Sequence, residues 1–184
     1  MVLGDSLAAG YGLPQGQGFC ERLDAVLRER GHNVRVLNAG VSGDTSAGGL
    51  ARLDWLLSGP DGVPQAAIVE LGANDALRGL DPVRTRANLS SILERLKAAK
   101  VKVLLAGMLA PRNMDAAYAK AFNSVYPDLA KAQGVPLYPF FLEGVAGNPA
   151  LNQADGIHPN EAGVARVVAG ILPAVEALLA QTAP

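Results

Sequence analysis

The chain has 184 residues, 49% of them apolar and 18% charged, with a formal net charge of -1. These values describe one globular domain, residues 1–184, able to bury a core without metals or disulfides, and they exclude a disordered segment. The balanced charge gives no reason to expect nucleic acid or an anionic membrane as partner; no stretch reads as approaching the roughly 20 apolar residues of a membrane span; and the single cysteine, Cys20, excludes an internal disulfide.

Met1-Val2-Leu3 reads as the stub of a strand, followed at once by Gly4-Asp5-Ser6-Leu7 and a helical stretch. Ser6 lies so close to Met1 that preceding residues are expected; no signal peptide is visible, and a removed export signal would fit. Phe19, Leu23, Val26 and Leu27 then share one helical face, with Cys20 as a small buried side chain and Gly31 as the stop. A second strand is predicted over Asn33 to Leu37, then a loop, Ser42-Gly43-Asp44, and a helix over Ser46 to Leu57 that Asp44 is expected to cap. His32 reads as an exposed loop residue, and 59–64 as a surface loop.

The third strand, Ala66 to Leu71, runs into Gly72-Ala73-Asn74-Asp75, where Asp75 is expected to brace the loop. A helix starting near Pro82 buries Leu89, Ile92, Leu93 and Leu96. A fourth strand, Val101 to Ala106, leads into Gly107-Met108-Leu109-Ala110-Pro111, a helix over Met114 to Gln133 and a fifth strand, Val135 to Phe141. After a long loop comes Asp155-Gly156-Ile157-His158-Pro159, and a last helix from Pro159 towards Leu179, bent at Pro173.

Strand and helix alternating five times predict an α/β domain with a parallel sheet and helices on both faces. The near-continuous apolar strands fit a sheet covered on both sides. Ligands of such sheets bind at the carboxyl ends of the strands, and Ser6, Gly43, Asn74, the 107–111 loop and the His158 turn all fall at that edge.

The chemistry follows from the side chains. Asp155 stands three residues before His158, one of only two histidines. A carboxylate there accepts from one imidazole nitrogen and leaves the other free to take a proton. Ser6 is the nucleophile such a base requires, and Gly43 and Asn74 are candidate donors to an oxyanion. Taken singly, Ser6 or Asp5 also reads as a helix cap, His158 as a surface histidine before a helix-starting proline, and Gly43 and Asn74 as turn residues. There is no Cys/His cluster for a metal and no phosphate-binding glycine fingerprint.

Together, Gly4-Asp5-Ser6-Leu7, Gly43 in 39–45, Gly72-Ala73-Asn74-Asp75 and Asp155-Gly156-Ile157-His158-Pro159 resemble, in order, the four signature blocks of the GDSL/SGNH hydrolase superfamily. Ser42-Gly43-Asp44-Thr45-Ser46, Val69-Glu70-Leu71-Gly72 and 136–141 are most similar to its bacterial thioesterase/lysophospholipase/arylesterase branch. The resemblance implies a three-layer α/β/α sandwich with a five-stranded, flavodoxin-like parallel sheet. It implies Ser6 as nucleophile, His158 as base, Asp155 as its orienting acid, and Ser6, Gly43 and Asn74 as the oxyanion hole. The substrate is then a small-molecule ester: a short acyl or aryl ester, a thioester or a lysophospholipid. No cofactor is required. Relatives of this kind are often exported to the periplasm or secreted.

Substrate contacts are expected from Leu77, Met108, Leu109 and Pro111, with Asp5, Asp44 and Ile157 beside the signature residues. Two alternatives are a carbohydrate O-acetyl esterase, against which the low aromatic content counts, and a non-catalytic binding module on the same fold. The sequence gives no oligomeric state.

Overall fold

The computed structural model describes residues 1–182. Five parallel strands form the sheet: β1 (Val2–Gly4), β2 (Asn38–Gly40), β3 (Ala66–Glu70), β4 (Lys102–Ala106) and β5 (Leu137–Tyr138), in the order β2-β1-β3-β4-β5. Around it run α1 (Ser6–Ala9), α2 (Phe19–Glu29), α3 (Ser46–Leu57), α4 (Ala73–Leu77), α5 (Pro82–Ala98), α6 (Ala116–Gln133) and α7 (Glu161–Leu179). Helices α2 and α7 pack on each other, while α5 packs on both α3 and α6. The result is the three-layer α/β/α arrangement with a flavodoxin-like strand order.

The apolar runs explain the core. Leu3, Val69, Leu104 and Leu105 are fully enclosed in the middle strands, as a sheet covered on both faces requires. The order in which strands are added reverses at β1, which has β2 on one side and β3 on the other. A crevice therefore opens beyond the carboxyl ends of β1 and β3. Ser6 follows β1 and Asn74 follows β3, so the topology alone brings both to it.

The structure corrects several sequence expectations. The second strand is Asn38–Gly40, not Asn33 to Leu37. Its ladder extends only as far as β1 does: Val2 pairs with Asn38, and the Val2 N–H on the Leu37 carbonyl, 2.8 Å, is the contact just before that register begins. Gly40 is required there, because a Cβ would strike the backbone of Ala8 and Ala9 in α1. The last helix starts at Glu161, with Asn160 rather than Pro159 at its head: the Asn160 side chain accepts the Gly163 N–H at 3.0 Å. Helix α3 is capped by Thr45, whose side chain accepts from Gly48 N–H, and not by Asp44. His32 is half-buried, 3.1 Å from Glu176.

Helix α7 is also long and apolar enough to cross a membrane, against the sequence expectation that no stretch approaches a span. Its Val164, Val167, Val168, Ile171, Val175 and Leu178 form a stripe at helical spacing that is buried in the core. That placement accounts for its apolar character without a bilayer.

Candidate active site

The Ser6 side of the site is built by the end of β1. Asp5 caps α1, its Oδ1 accepting the Leu7 N–H at 3.0 Å, and Ser6 is the first residue of that helix. The Ser6 N–H therefore has no intrahelical acceptor and stays available. Gly4 has no space for a side chain: a Cβ would lie 2.6 Å from Ala8 Cβ and from Glu70 Oε2.

The His158 side lies 152 residues away in sequence. Asn152 bridges to Pro159 in antiparallel fashion, and the Gln153 N–H donates to the His158 carbonyl at 2.7 Å. Gly156, at φ +74°, supplies the left-handed residue of the turn between them. Asp155 Oδ1 accepts the N–H groups of Ile157 and His158, both at 3.0 Å. Its Oδ2 sits 2.6 Å from His158 Nδ1. Partial burial works against the charged carboxylate, but the His158 backbone and ring and the Ile157 N–H outweigh it and hold Asp155 down at about 2. It is thus ionised across any ordinary assay range. With Nδ1–H donated to Asp155, His158 Nε2 is an acceptor, and it lies 2.8 Å from Ser6 Oγ. The structure thus brings Ser6, His158 and Asp155 into one hydrogen-bonded line that can move a proton off the serine.

Opposite this line lie the candidate oxyanion donors. Gly43, at φ +85°, presents an N–H that no acceptor takes among the described residues. Its loop is held by two arginines. Arg78 Nη2 donates to the Gly43 carbonyl at 2.8 Å, Arg52 pairs with Asp44 at 2.7 Å, and Arg52 also donates to the Gly4 carbonyl at 2.9 Å. Asn74 Nδ2 donates to Asp5 Oδ2 at 3.0 Å and to the Asp44 carbonyl at 2.9 Å. Both amide hydrogens are therefore engaged before substrate arrives, and an oxyanion has to share or take over one of them. Asp75 is buried, its carboxylate accepting from Ser46 N–H, Ser46 Oγ and Thr85 Oγ1; it ties α4 to α3 and α5, the bracing role expected of it.

A cleft of about 740 Å³ spreads from Ser6 and His158, with Leu77, Met108, Leu109 and Ile157 among its walls. Pro111 also lines it, and Asp5 lies at its floor with its carboxylate spent on Leu7 and Asn74. Asp44 does not line it; its carboxylate is turned to Arg52, which corrects the expectation of a substrate contact there. A smaller depression of about 310 Å³ at the amino end of the sheet carries none of these groups.

Sequence reasoning missed Glu70, although a carboxylate inside an apolar strand is a readable signal. Glu70 is completely buried beneath the Gly4–Asp5 turn, where its Oε2 receives the Asp5 N–H at 3.4 Å. Its Oε1 has no partner among the described residues. Burial, reinforced by the Asp5 charge, pushes the Glu70 carboxyl well above the usual range, which favours its neutral form. Burial likewise raises Asp5 to about 6, against the hydrogen bonds from Leu7 and Asn74. Because the folded-state value of Glu70 exceeds the unfolded one, its contribution is fully present at acid pH and is lost as pH rises towards that folded value. Glu70→Gln keeps the shape and removes the titration. Its melting temperature relative to the natural chain should therefore climb between pH 5 and pH 9, by about 3 °C or more. A constant difference across that range would show that Glu70 ionises in the fold as readily as in the unfolded chain.

Comparison with known proteins gives a consistent picture. Residues 2–166 match the model of the GDSL-like Lipase/Acylhydrolase family. The chain is 44% identical to Esterase TesA of Pseudomonas aeruginosa over 179 residues, 97% of this chain and 88% of that protein. It is 42% identical to an arylesterase of Vibrio mimicus, over 86% of this chain and 78% of that one. Among solved structures, AlinE4, an SGNH-hydrolase family esterase, superposes with a TM-score of 0.80 at 50% identity, covering 97% of this chain and 94% of the other.

Proposed function

Since the chain belongs to the GDSL-like lipase/acylhydrolase family, we propose that it hydrolyses carboxylic esters through an acyl-enzyme formed on Ser6. The observation that carries this reading is the unbroken line from Ser6 Oγ to His158 Nε2, 2.8 Å, and from His158 Nδ1 to Asp155 Oδ2, 2.6 Å. A binding module has no use for such an arrangement.

Ser6 Oγ attacks the ester carbonyl as His158 Nε2 takes its proton, and Asp155 stabilises the imidazolium. The carbonyl oxygen becomes an oxyanion between the N–H groups of Ser6 and Gly43 and the Asn74 amide. His158 then hands its proton to the departing alcohol. A water molecule, deprotonated by the same histidine, attacks the acyl carbon and frees the acid. The chain acts as a single domain in this scheme, with all groups supplied by loops at one sheet edge.

The cleft walls at Leu77, Leu109 and Ile157 are each close to half exposed, which suits small acyl and aryl esters. Thioesters and lysophospholipids extend the same acyl chemistry to other leaving groups. The test is hydrolysis of p-nitrophenyl esters from acetate to long acyl chains. Short esters should turn over fastest; a folded enzyme inactive on the whole series would remove the reading. Asn74→Ala should lower kcat by about 10²- to 10³-fold with KM little changed, because the amide serves the oxyanion rather than the bound ester. Single-substrate kinetics on p-nitrophenyl acetate check this, and an equal rise in KM would assign Asn74 to ground-state binding instead.

A further inference from the structure

Tyr11 has no place in the proton transfer above, yet it is attached to both halves of the site. Its N–H donates to the Ser6 carbonyl at 3.1 Å, so it hangs directly from the nucleophile's own residue. Its carbonyl accepts Gln153 Nε2 at 2.8 Å, and the same nitrogen donates to the Pro159 carbonyl at 3.0 Å. One amide group thereby clasps the Ser6 loop to the His158 turn. Gly12 keeps the clasp closed: it sits at φ +72°, and a Cβ there would collide with Gln153 Oε1.

The clasp places the Tyr11 ring on the imidazole. The two ring centroids lie 4.6 Å apart at an interplanar angle of 38°. The ring is not buried for stability: Tyr11 is 51% exposed and lines the cleft, and its hydroxyl has no hydrogen-bond partner among the described residues. What the fold holds in place is an aromatic face, beside the atom that returns a proton to the leaving group.

We propose that Tyr11 is a specificity-determining and positioning residue, which steadies the His158 ring and forms the wall against which an aromatic leaving group stacks. This rests on the esterase reading, because the leaving oxygen has to come within reach of His158 Nε2. An aryl group on that oxygen then lies alongside the tyrosine face, whereas a small alkyl group does not reach it. The clasp holds the wall at an exposed position: Gln153 fixes the Tyr11 backbone, and with it the point from which the ring reaches His158, so a planar aromatic side chain at position 11 inherits the placement.

The test compares phenyl acetate with ethyl acetate in the natural chain, Tyr11→Ala, Tyr11→Phe and Ser6→Ala. Tyr11→Ala should lower kcat on ethyl acetate about fivefold with KM nearly constant, and lower kcat/KM on phenyl acetate by roughly a further fivefold, the scale of one aromatic contact. Tyr11→Phe should restore both, since the ring and not the hydroxyl does the work. Melting curves of all variants confirm folding. An unchanged phenyl-to-ethyl ratio in folded Tyr11→Ala would overturn the assignment, as would a Tyr11→Phe that behaves like Tyr11→Ala. Undiminished activity in folded Ser6→Ala would instead overturn the reading of an acyl-enzyme on Ser6, and the leaving-group wall with it.

Discussion

Ser6→Ala is expected to lower kcat on p-nitrophenyl acetate by about 10^4-fold or more, because removal of the nucleophile leaves only binding and the oxyanion donors. The site would otherwise be intact. Asp5 caps α1 through Leu7, and neither that bond nor the Gly43 and Asn74 contacts passes through the serine hydroxyl. The melting temperature should therefore stay within about 3 °C of the natural chain, which corresponds to roughly 1 kcal/mol for a protein of this size. Burst kinetics sharpen the point: the natural chain should release p-nitrophenol in a burst of one equivalent if deacylation is slow, and the variant should show none. A folded variant retaining a tenth of the activity would place the nucleophile elsewhere.

Asp155→Asn is expected to lower kcat by about 10^3- to 10^4-fold while leaving the turn in place. The asparagine oxygen can still accept the N–H groups of Ile157 and His158, which in the natural chain go to Oδ1. What changes is the atom facing the imidazole. An amide NH2 at the Oδ2 position donates to Nδ1, forces the proton to Nε2, and leaves Ser6 Oγ opposite a nitrogen that no longer accepts. Because Asp155 stays ionised down to about pH 2, its own titration does not rescue or mask the effect within the assay range. Full activity in Asp155→Asn would show that the carboxylate only shapes the turn.

Most of the site was legible because its residues are fixed by local chemistry. Ser6, Gly43, Asn74 and His158 each follow a strand end, and the edge of a parallel sheet gathers such loops whatever the rest of the sequence does. Strands β3 and β4 were legible for the same kind of reason, as continuous apolar runs buried on both sides. Strand β2 was not. The apolar residues Val34 and Val36 precede it, while the paired residues are Asn38, Ala39 and Gly40, chosen by the register with β1 and by the close approach of α1 rather than by hydrophobicity. Helices α1 and α4 span only four and five residues, too short for helical periodicity to register.

The contacts that tie the site together were the least legible part. Glu70 is apparent only once β3 is seen to run beneath the Gly4–Asp5 turn. The Gln153–Tyr11 clasp joins residues 142 apart, and Arg52 reaches 48 residues back to the Gly4 carbonyl. No spacing rule encodes such pairs; they exist because the sheet order folds distant loops onto one edge. Asp44 illustrates the converse. Its position beside Gly43 suggested a substrate contact or a helix cap, and pairing with Arg52 in the following helix claims its carboxylate for neither.

A covalent bond to Ser6 is detected most directly by mass spectrometry. The natural chain and Ser6→Ala are incubated with a p-nitrophenyl phosphonate ester, and their intact and peptide masses are measured. One phosphonyl group is expected on the natural chain, located on the peptide containing Ser6, stoichiometric with loss of esterase activity, and none on Ser6→Ala. Equal labelling of both proteins, or inactivation of the natural chain with the group on any other residue, would contradict it.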